Sequence, residues 1–306
     1  MLEFKKITID DRENFLKKIQ REKYRHSQAS FTTLFAWRKI CNVAIAEDEL
    51  AIYVKMESCA YQPFCMPPFL KVGVVSYAEP LRRLEEHMMQ EYHSVYFKCF
   101  TDDIKQMVEK ELPGRYLFTE DRNNADYIYL VDKLISLSGK KLHAKRNHIN
   151  AFLKEHPDYE YEVLTRDSFG DCLRVMYNWV EQKEEEDENG EFEDEYDDET
   201  RVIKSLFHNF DKLELKGGMI KIDGEIKAFT IGSSLNDETV EVIIEKADAN
   251  IRGLYPMINR EFLQHEFSDK KYANRQEDMG IPGLRKAKLS YNPYELAMKY
   301  DAVLAK

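Results

Sequence analysis

Asn274–Pro293 reads NRQEDMGIPGLRKAKLSYNP, a short stretch near the C-terminus that combines an arginine, a Glu-Asp pair, two glycines and a basic cluster. Such a mixture suits neither a buried strand nor a plain amphipathic helix. Charges of both signs beside glycine-permitted backbone are what a polar-ligand site needs. Asn274 leaves a strand, Arg275 to Asp278 form a polar connection, and Gly280 with Pro282-Gly283 shapes the entry to a helix carrying Arg285, Lys286 and Lys288. Lys288 lies three residues beyond Arg285 on a similar face, so the pair can clamp an anion. Glu277 or Asp278 can bind an ammonium group or act as a general base. The competing reading pairs these acids internally with Arg275 or Lys288, in a network without catalysis.

Working outward, helices and strands alternate throughout. Upstream of the stretch, residues 271–274 form a short strand, 253–267 a helix and 239–246 a strand, and 219–233 make a hairpin turning at Asp223-Gly224. Helices are expected at 167–181 and 200–215, at 132 or 140 to 156, and at 10–22 and 27–40, with a hairpin over 43–56. Leu81, Leu84 and Met88 sit at helical spacing, and Thr101-Asp102-Asp103 begins a helix to Leu112. A final strand lies near Ala302. The class is α/β (α+β), and the order of elements divides at about residue 135 into 1–135 and 136–306.

At 306 residues, 43% hydrophobic and 12% aromatic, the chain has the composition of a folded protein with a sizeable core. The opening residues contain no apolar signal region, and the longest uncharged run, Ser58 to Leu70, is broken by three prolines. A soluble, cytoplasmic protein is the expectation. The five cysteines, Cys41, Cys59, Cys65, Cys99 and Cys172, show no CxxC spacing, and the eight histidines form no HExxH or HxxxH pattern, so no metal site is expected. The net charge of -11 is concentrated. Residues 181–199 hold thirteen acids and one lysine, so the remainder is near +1 and leaves room for a local basic surface. The acidic run reads as a solvated loop between two helices.

The segment from Gly139 to Leu153 reads as one helix with a cationic side, Lys141, Lys145 and His148, and an apolar side, Leu142, Ile149 and Leu153. With Lys140 and Arg146 nearby, it either engages phosphates or merely solubilises the surface. Glu245 and Lys246, adjacent on a strand, must point to opposite faces. Gly253 precedes a helix with Pro256 in its first turn, and Arg252 beside that helix start can hold a phosphate or carboxylate.

These residues resemble the C-terminal domain of phosphatidylglycerol lysyltransferases and related soluble proteins. The matching letters are Asp121-Arg122 with Asp126-Tyr127, Gly139-Lys140-Lys141-Leu142-His143 with Lys145-Arg146-Asn147, and Glu245-Lys246-Ala247. They continue through Gly253-Leu254-Tyr255 with Ile258-Asn259 and the whole of Asn274 to Pro293. The resemblance implies two tandem acetyltransferase-type (GNAT-like) domains, each a mixed, mostly antiparallel sheet flanked by helices. It implies transfer of an aminoacyl group from aminoacyl-tRNA to a lipid, peptide or small amine, with no cofactor required. Glu277, Asp278, Arg285 and Lys288 would be catalytic. Lys141, Lys145, Arg146, Glu245, Lys246, Arg252, Gly253, Tyr255, Asn259, Asn274 and Arg275 would bind substrate. The lipid-modifying members carry a long transmembrane part without counterpart here, so membrane contact is expected to be at most peripheral, and DNA is not an expected partner. The segment Asn250 to Tyr255 has one glycine where a coenzyme A loop is glycine-rich. An acyl-coenzyme A-dependent N-acyltransferase and a non-catalytic binding protein are the alternatives.

Overall fold

The computed structural model describes residues 2–58, 61–186 and 193–305. The chain opens with β1 (Lys5–Lys6), α1 (Asp11–Lys18) and α2 (Phe31–Ala36). It continues through β2 (Ala44–Glu47), β3 (Ala51–Ser58), β4 (Tyr61–Cys65), β5 (Phe69–Leu70), α3 (Ala78–Tyr92), β6 (Tyr96–Thr101), α4 (Asp102–Glu111) and β7 (Tyr116–Glu120). Next come β8 (Asp126–Leu130), α5 (Val131–Ser136), α6 (His143–Glu155), β9 (Glu160–Val163), α7 (Phe169–Glu186) and α8 (Glu193–His208). The last elements are β10 (Lys216–Ile222), β11 (Glu225–Ser234), β12 (Thr239–Ala247), α9 (Leu254–Glu266), β13 (Tyr272–Asn274), α10 (Pro282–Leu289), β14 (Glu295–Ala297) and β15 (Lys299–Leu304).

The strands form two mixed sheets. The first has the order β1-β2-β3-β4-β6-β15-β7 with β5 on β3, and the second β14-β8-β13-β12-β11-β10-β9. Parallel pairing occurs at β4–β6 and at β12–β13. Two compact units result, and both are discontinuous in sequence. The first is Met1–Asp126 with Glu277–Gly280 and Leu296–Lys306, and the second is Tyr127–Gln276 with Ile281–Glu295. The chain first passes between units at Asp126/Tyr127, and β15 returns to the first sheet between β6 and β7.

In the second unit α6 and α9 cover one sheet face. Leu142, Ile149, Phe152, Leu254, Met257 and Ile258 pack there with Ile220, Ile222, Ala228 and Ala247 of the strands, all buried. The regular apolar spacing of α9 makes it the central helix, because burial of such a stripe is the main favourable term in folding. Helices α7 and α8 pack against the opposite face, as their ties to Lys246 show below.

Several helix limits differ from the sequence expectation, each for a tertiary reason. The helix expected over 10–22 stops at Lys18, because Ile19 bridges to Lys71 and the Gln20 side chain donates to the Lys71 and Val74 carbonyls at 2.8 and 2.7 Å. Ser27 does not begin a long helix; its amide and hydroxyl are held by Asp126, and Ser30 caps the short α2 instead. The expected helix from 139 breaks at Leu137 and Gly139, both in the left-handed region, so Lys140 and Lys141 precede α6 rather than ride on it. The acidic run is also more helical than expected: α7 extends to Glu186 and α8 begins at Glu193. The rest of that run, 187–192, and Cys59 lie outside the described residues.

Candidate functional site

The second unit builds its polar centre where β12 and β13 part. Their parallel register ends at Glu241↔Asn274. Among the described residues, β12 then runs on through Ala247 with no strand on that side. Openings at the carboxyl ends of parallel strands are where α/β folds place ligands. Here the side chain of Glu245 bridges the opening: its carboxylate accepts from Arg275 Nη2 at 2.7 Å and from Asn259 Nδ2 at 2.8 Å. Asn259 comes from α9, so strand and helix meet on one carboxylate. As adjacent strand residues must, Lys246 points the other way, to Glu199 of α8 at 2.7 Å and over the Trp179 ring of α7 at 3.3 Å.

Arg275 follows β13 and is held from several directions. Its amide donates to the Tyr127 carbonyl at 3.0 Å, and its own carbonyl accepts from Lys288 Nζ at 2.7 Å. Lys288 is held in turn, its carbonyl accepting from the Tyr129 hydroxyl at 2.7 Å. The guanidinium lies 4.7 Å from the Tyr291 ring centroid and 5.7 Å from that of Tyr129. Burial works against its charge, but Glu245 and the two tyrosines raise its pKa above the ordinary value. Among the described residues Arg275 Nη1 is buried without a well-formed hydrogen bond, while the Tyr291 hydroxyl interacts with the same guanidinium. A buried charged donor without a good acceptor costs free energy, and an anion or carbonyl oxygen placed there would lower that cost.

Lys145 of α6 reaches the same place. Its Nζ stands 3.9 Å from the Tyr291 ring centroid. No carboxylate among the described residues lies within ion-pair distance of it. Burial, and then the neighbouring Arg275, lower its pKa to about 8. Burial pushes the Tyr291 phenol up to about 12, with Arg275 opposing. Glu245, Arg275, Lys145, Asn259 and Tyr291 therefore form one polar centre with a net positive charge, an incompletely paired guanidinium and a lysine whose pKa is lowered to about 8.

The basic residues around it are mostly surface ones. Lys140, Lys141, Arg252 and Lys286 are exposed. The helix α10 buries none of its residues. Arg146 has a structural task, donating to the Leu137 and Gly139 carbonyls. Gly253 is needed for packing: at φ +84 it lets the start of α9 approach α6, and a Cβ there would stand 2.2 Å from the His148 carbonyl oxygen. Tyr255 is half-buried, and burial raises its pKa. Asn274 is fully buried, and its side chain accepts from the Gln276 amide at 2.7 Å, stabilising the left-handed turn at Gln276.

Glu277 and Asp278 belong to the first unit, whereas Arg285 and Lys288 belong to the second. Asp278 is fully buried and pairs with Arg122 at 3.1 Å. Glu277 lies 3.8 Å from Lys299 Nζ, itself 2.7 Å from Asp126. Burial opposes the Lys299 charge, but Asp126 and Glu277 raise its pKa. Sequence reasoning singled out neither this Lys299–Asp126 pair nor Tyr129 and Tyr291. Tyr291 was within reach, since it stands in the quoted stretch as the one aromatic beside a basic cluster. Nothing local marks Tyr129.

Among the described residues no group of histidine, cysteine and acidic side chains could hold a metal ion, and no helix is long and apolar enough to cross a membrane.

Comparison with known proteins places this architecture. The chain is similar over its full length to a protein of unknown function from Bacteroides thetaiotaomicron VPI-5482, with 38% identity, 100% of both chains covered and a TM-score of 0.91. It is similar in fold to L-PGS from Bacillus licheniformis, at 15% identity, 97% and 92% coverage and a TM-score of 0.66. A tandem GNAT protein from the clavulanic acid biosynthesis pathway matches at 9% identity, 99% and 98% coverage and a TM-score of 0.50, and the fold is a tandem GNAT-like one. An uncharacterized protein of Mycoplasmoides gallisepticum is 26% identical over 184 residues, so the chain spans about half (56%) the length of the curated relative it matches. The model of the family described as phosphatidylglycerol lysyltransferase, C-terminal, matches residues 20–303. The chain belongs to the phosphatidylglycerol lysyltransferase C-terminal family.

Proposed function

We propose that this chain is a transferase that moves an aminoacyl group from the ester of an aminoacyl-tRNA to a hydroxyl or amine of a lipid, peptide or small-molecule acceptor. The reaction takes place at the opening beside β12. The acceptor oxygen or nitrogen attacks the ester carbonyl carbon, the carbonyl oxygen becomes an oxyanion, and the bond to the tRNA ribose oxygen breaks. The acceptor's proton passes to Lys145 in its amine form and returns to the departing ribose oxygen. Arg275 Nη1 donates to the oxyanion, where a preorganised donor in a dry site is worth most. Glu245, Asn259 and Lys288 are positioning residues for Arg275.

The observation that carries this reading is the meeting of a buried, incompletely paired guanidinium, Arg275, and a lysine of lowered pKa, Lys145, at the Tyr291 ring. A second supports the polyanionic donor. From Leu137 to Lys154 the sequence has five lysines and arginines and no acid, and from Ile281 to Tyr294 three and no acid, in a chain of net charge -11. The segment Asn250 to Tyr255 holds one glycine where a coenzyme A loop is glycine-rich, which favours tRNA over acyl-coenzyme A as donor.

The test is incubation with a mixture of charged tRNAs, labelled in the amino acid, and extracted lipids and metabolites. Labelled product is expected from the native chain, with a loss of at least about a hundredfold in Arg275→Lys. Acyl transfer from acetyl-coenzyme A without transfer from tRNA would overturn the proposal.

A further inference from the structure

The face of the second sheet opposite Glu245 carries a cavity that the transfer chemistry does not use. Its volume is about 350 Å³, within the range that holds a small molecule. Helix α7 supplies Asp171, Val175, Asn178, Trp179 and Gln182, the start of β11 supplies Glu225 and Lys227, and Asp248 closes the end beyond β12.

Most of the charges are already matched. Arg174 is paired with Asp171, and Lys227 with Glu225 at 2.7 Å. Two acceptors remain. Asp248 uses one carboxylate oxygen to hold the Asn250 amide at 3.0 Å and has no cation within ion-pair distance among the described residues. Among the described residues Gln182 Oε1 is buried without a hydrogen-bond partner. An unmatched carboxylate and an orphan amide oxygen around one cavity call for a ligand that brings positive charge and N–H donors. Val175 and Ile226 provide an apolar lining for a short aliphatic stem.

We infer that this cavity is a binding site for a small aliphatic amine in its ammonium form, separate from the Glu245–Arg275 centre. The ammonium lies between Asp248 and Gln182 Oε1, and the stem lies along Val175 and Ile226 beside Trp179.

Trp179 supplies the readout, since the only other tryptophan is Trp37. In the full chain carrying Trp37→Phe, putrescine is titrated against indole fluorescence and by calorimetry, with 1,4-butanediol as the neutral isostere. Saturable one-to-one binding of putrescine is expected, at least tenfold tighter than the diol and at least tenfold weaker in Asp248→Asn and in Gln182→Leu. Asp248→Asn leaves the acidic run of 181–199 untouched. Equal binding to that variant would assign the amine to the acidic run and overturn the site, as would equal binding of the diol or no saturable binding. Gln182 on α7 and Asp248 beyond β12 are both partly exposed, and an unchanged thermal midpoint verifies that the variants fold.

Discussion

The Arg275 guanidinium and the Glu245 carboxylate meet at 2.7 Å in the opening where β12 and β13 part, and both side chains are nearly buried. A buried pair is most costly when one partner is removed, because the other charge is left without compensation. Glu245→Ala is therefore expected to destabilise the chain by about 3 kcal/mol. Glu245→Gln, which keeps an acceptor oxygen, should cost less. Urea midpoints with an unchanged slope would measure both, and an Ala variant as stable as the native chain would contradict the burial argument.

Lys145 gives a pH signature. Its folded pKa of about 8 lies below the ordinary lysine value. Between these two values the unfolded chain binds the extra proton, so stability contributed by this group rises with pH above 8 and is lost on falling through 8. At pH 7 the charged side chain therefore weakens the fold. Lys145→Met is expected to stabilise it by about 1 kcal/mol, a figure reduced for partial solvent screening. The same variant should lower transfer by about a hundredfold, while the native rate climbs to a plateau above pH 8. A native rate that falls across pH 8 would rule out the amine as base.

Gly253 is constrained twice, by φ +84 and by the His148 carbonyl 2.2 Å from where a Cβ would stand. Gly253→Ala should cost more than about 2 kcal/mol, since strain and collision add. Thermal unfolding would show it, with Gly139→Ala as the comparison. Gly139 also has positive φ but open space around it, so its cost should be smaller.

In the first unit His26 is buried, and burial followed by Lys299 lowers its pKa to about 4, with Asp126 opposing. The folded value is depressed, so the stability at stake is present above the unfolded pKa and is lost as pH falls from about 6.5 to about 4. The loss should reach about 3 kcal/mol. In His26→Leu the decline of the urea midpoint between pH 6.5 and 4 should be shallower. An identical slope in native and variant chains would show that other groups carry the acid sensitivity.

Much of this was legible in the sequence where the signal was local. The Asp223-Gly224 turn, the β2–β3 hairpin around Glu47-Asp48-Glu49, the helix start after Gly253 and the opposite faces of Glu245 and Lys246 follow from backbone preference and side-chain period. The stretch Asn274–Pro293 stands out because its letters match no single periodicity. Ser27 misled because its hydroxyl serves Asp126, ninety-nine residues away, rather than its own helix. Lys299 gave no warning, since a lysine in a terminal strand ordinarily faces water and only a distant carboxylate explains its burial.

Composition, periodicity and turn chemistry thus determined the class of the chain and most of its elements, because these depend on neighbours a few residues apart. Tertiary structure alone decided that Glu277 and Asp278 serve the first unit, and that Lys145, Glu245, Asn259, Arg275 and Tyr291 meet. Those contacts join residues from distant strands and helices. Burial then sets their charge states, and burial is a property of the folded surroundings rather than of any segment.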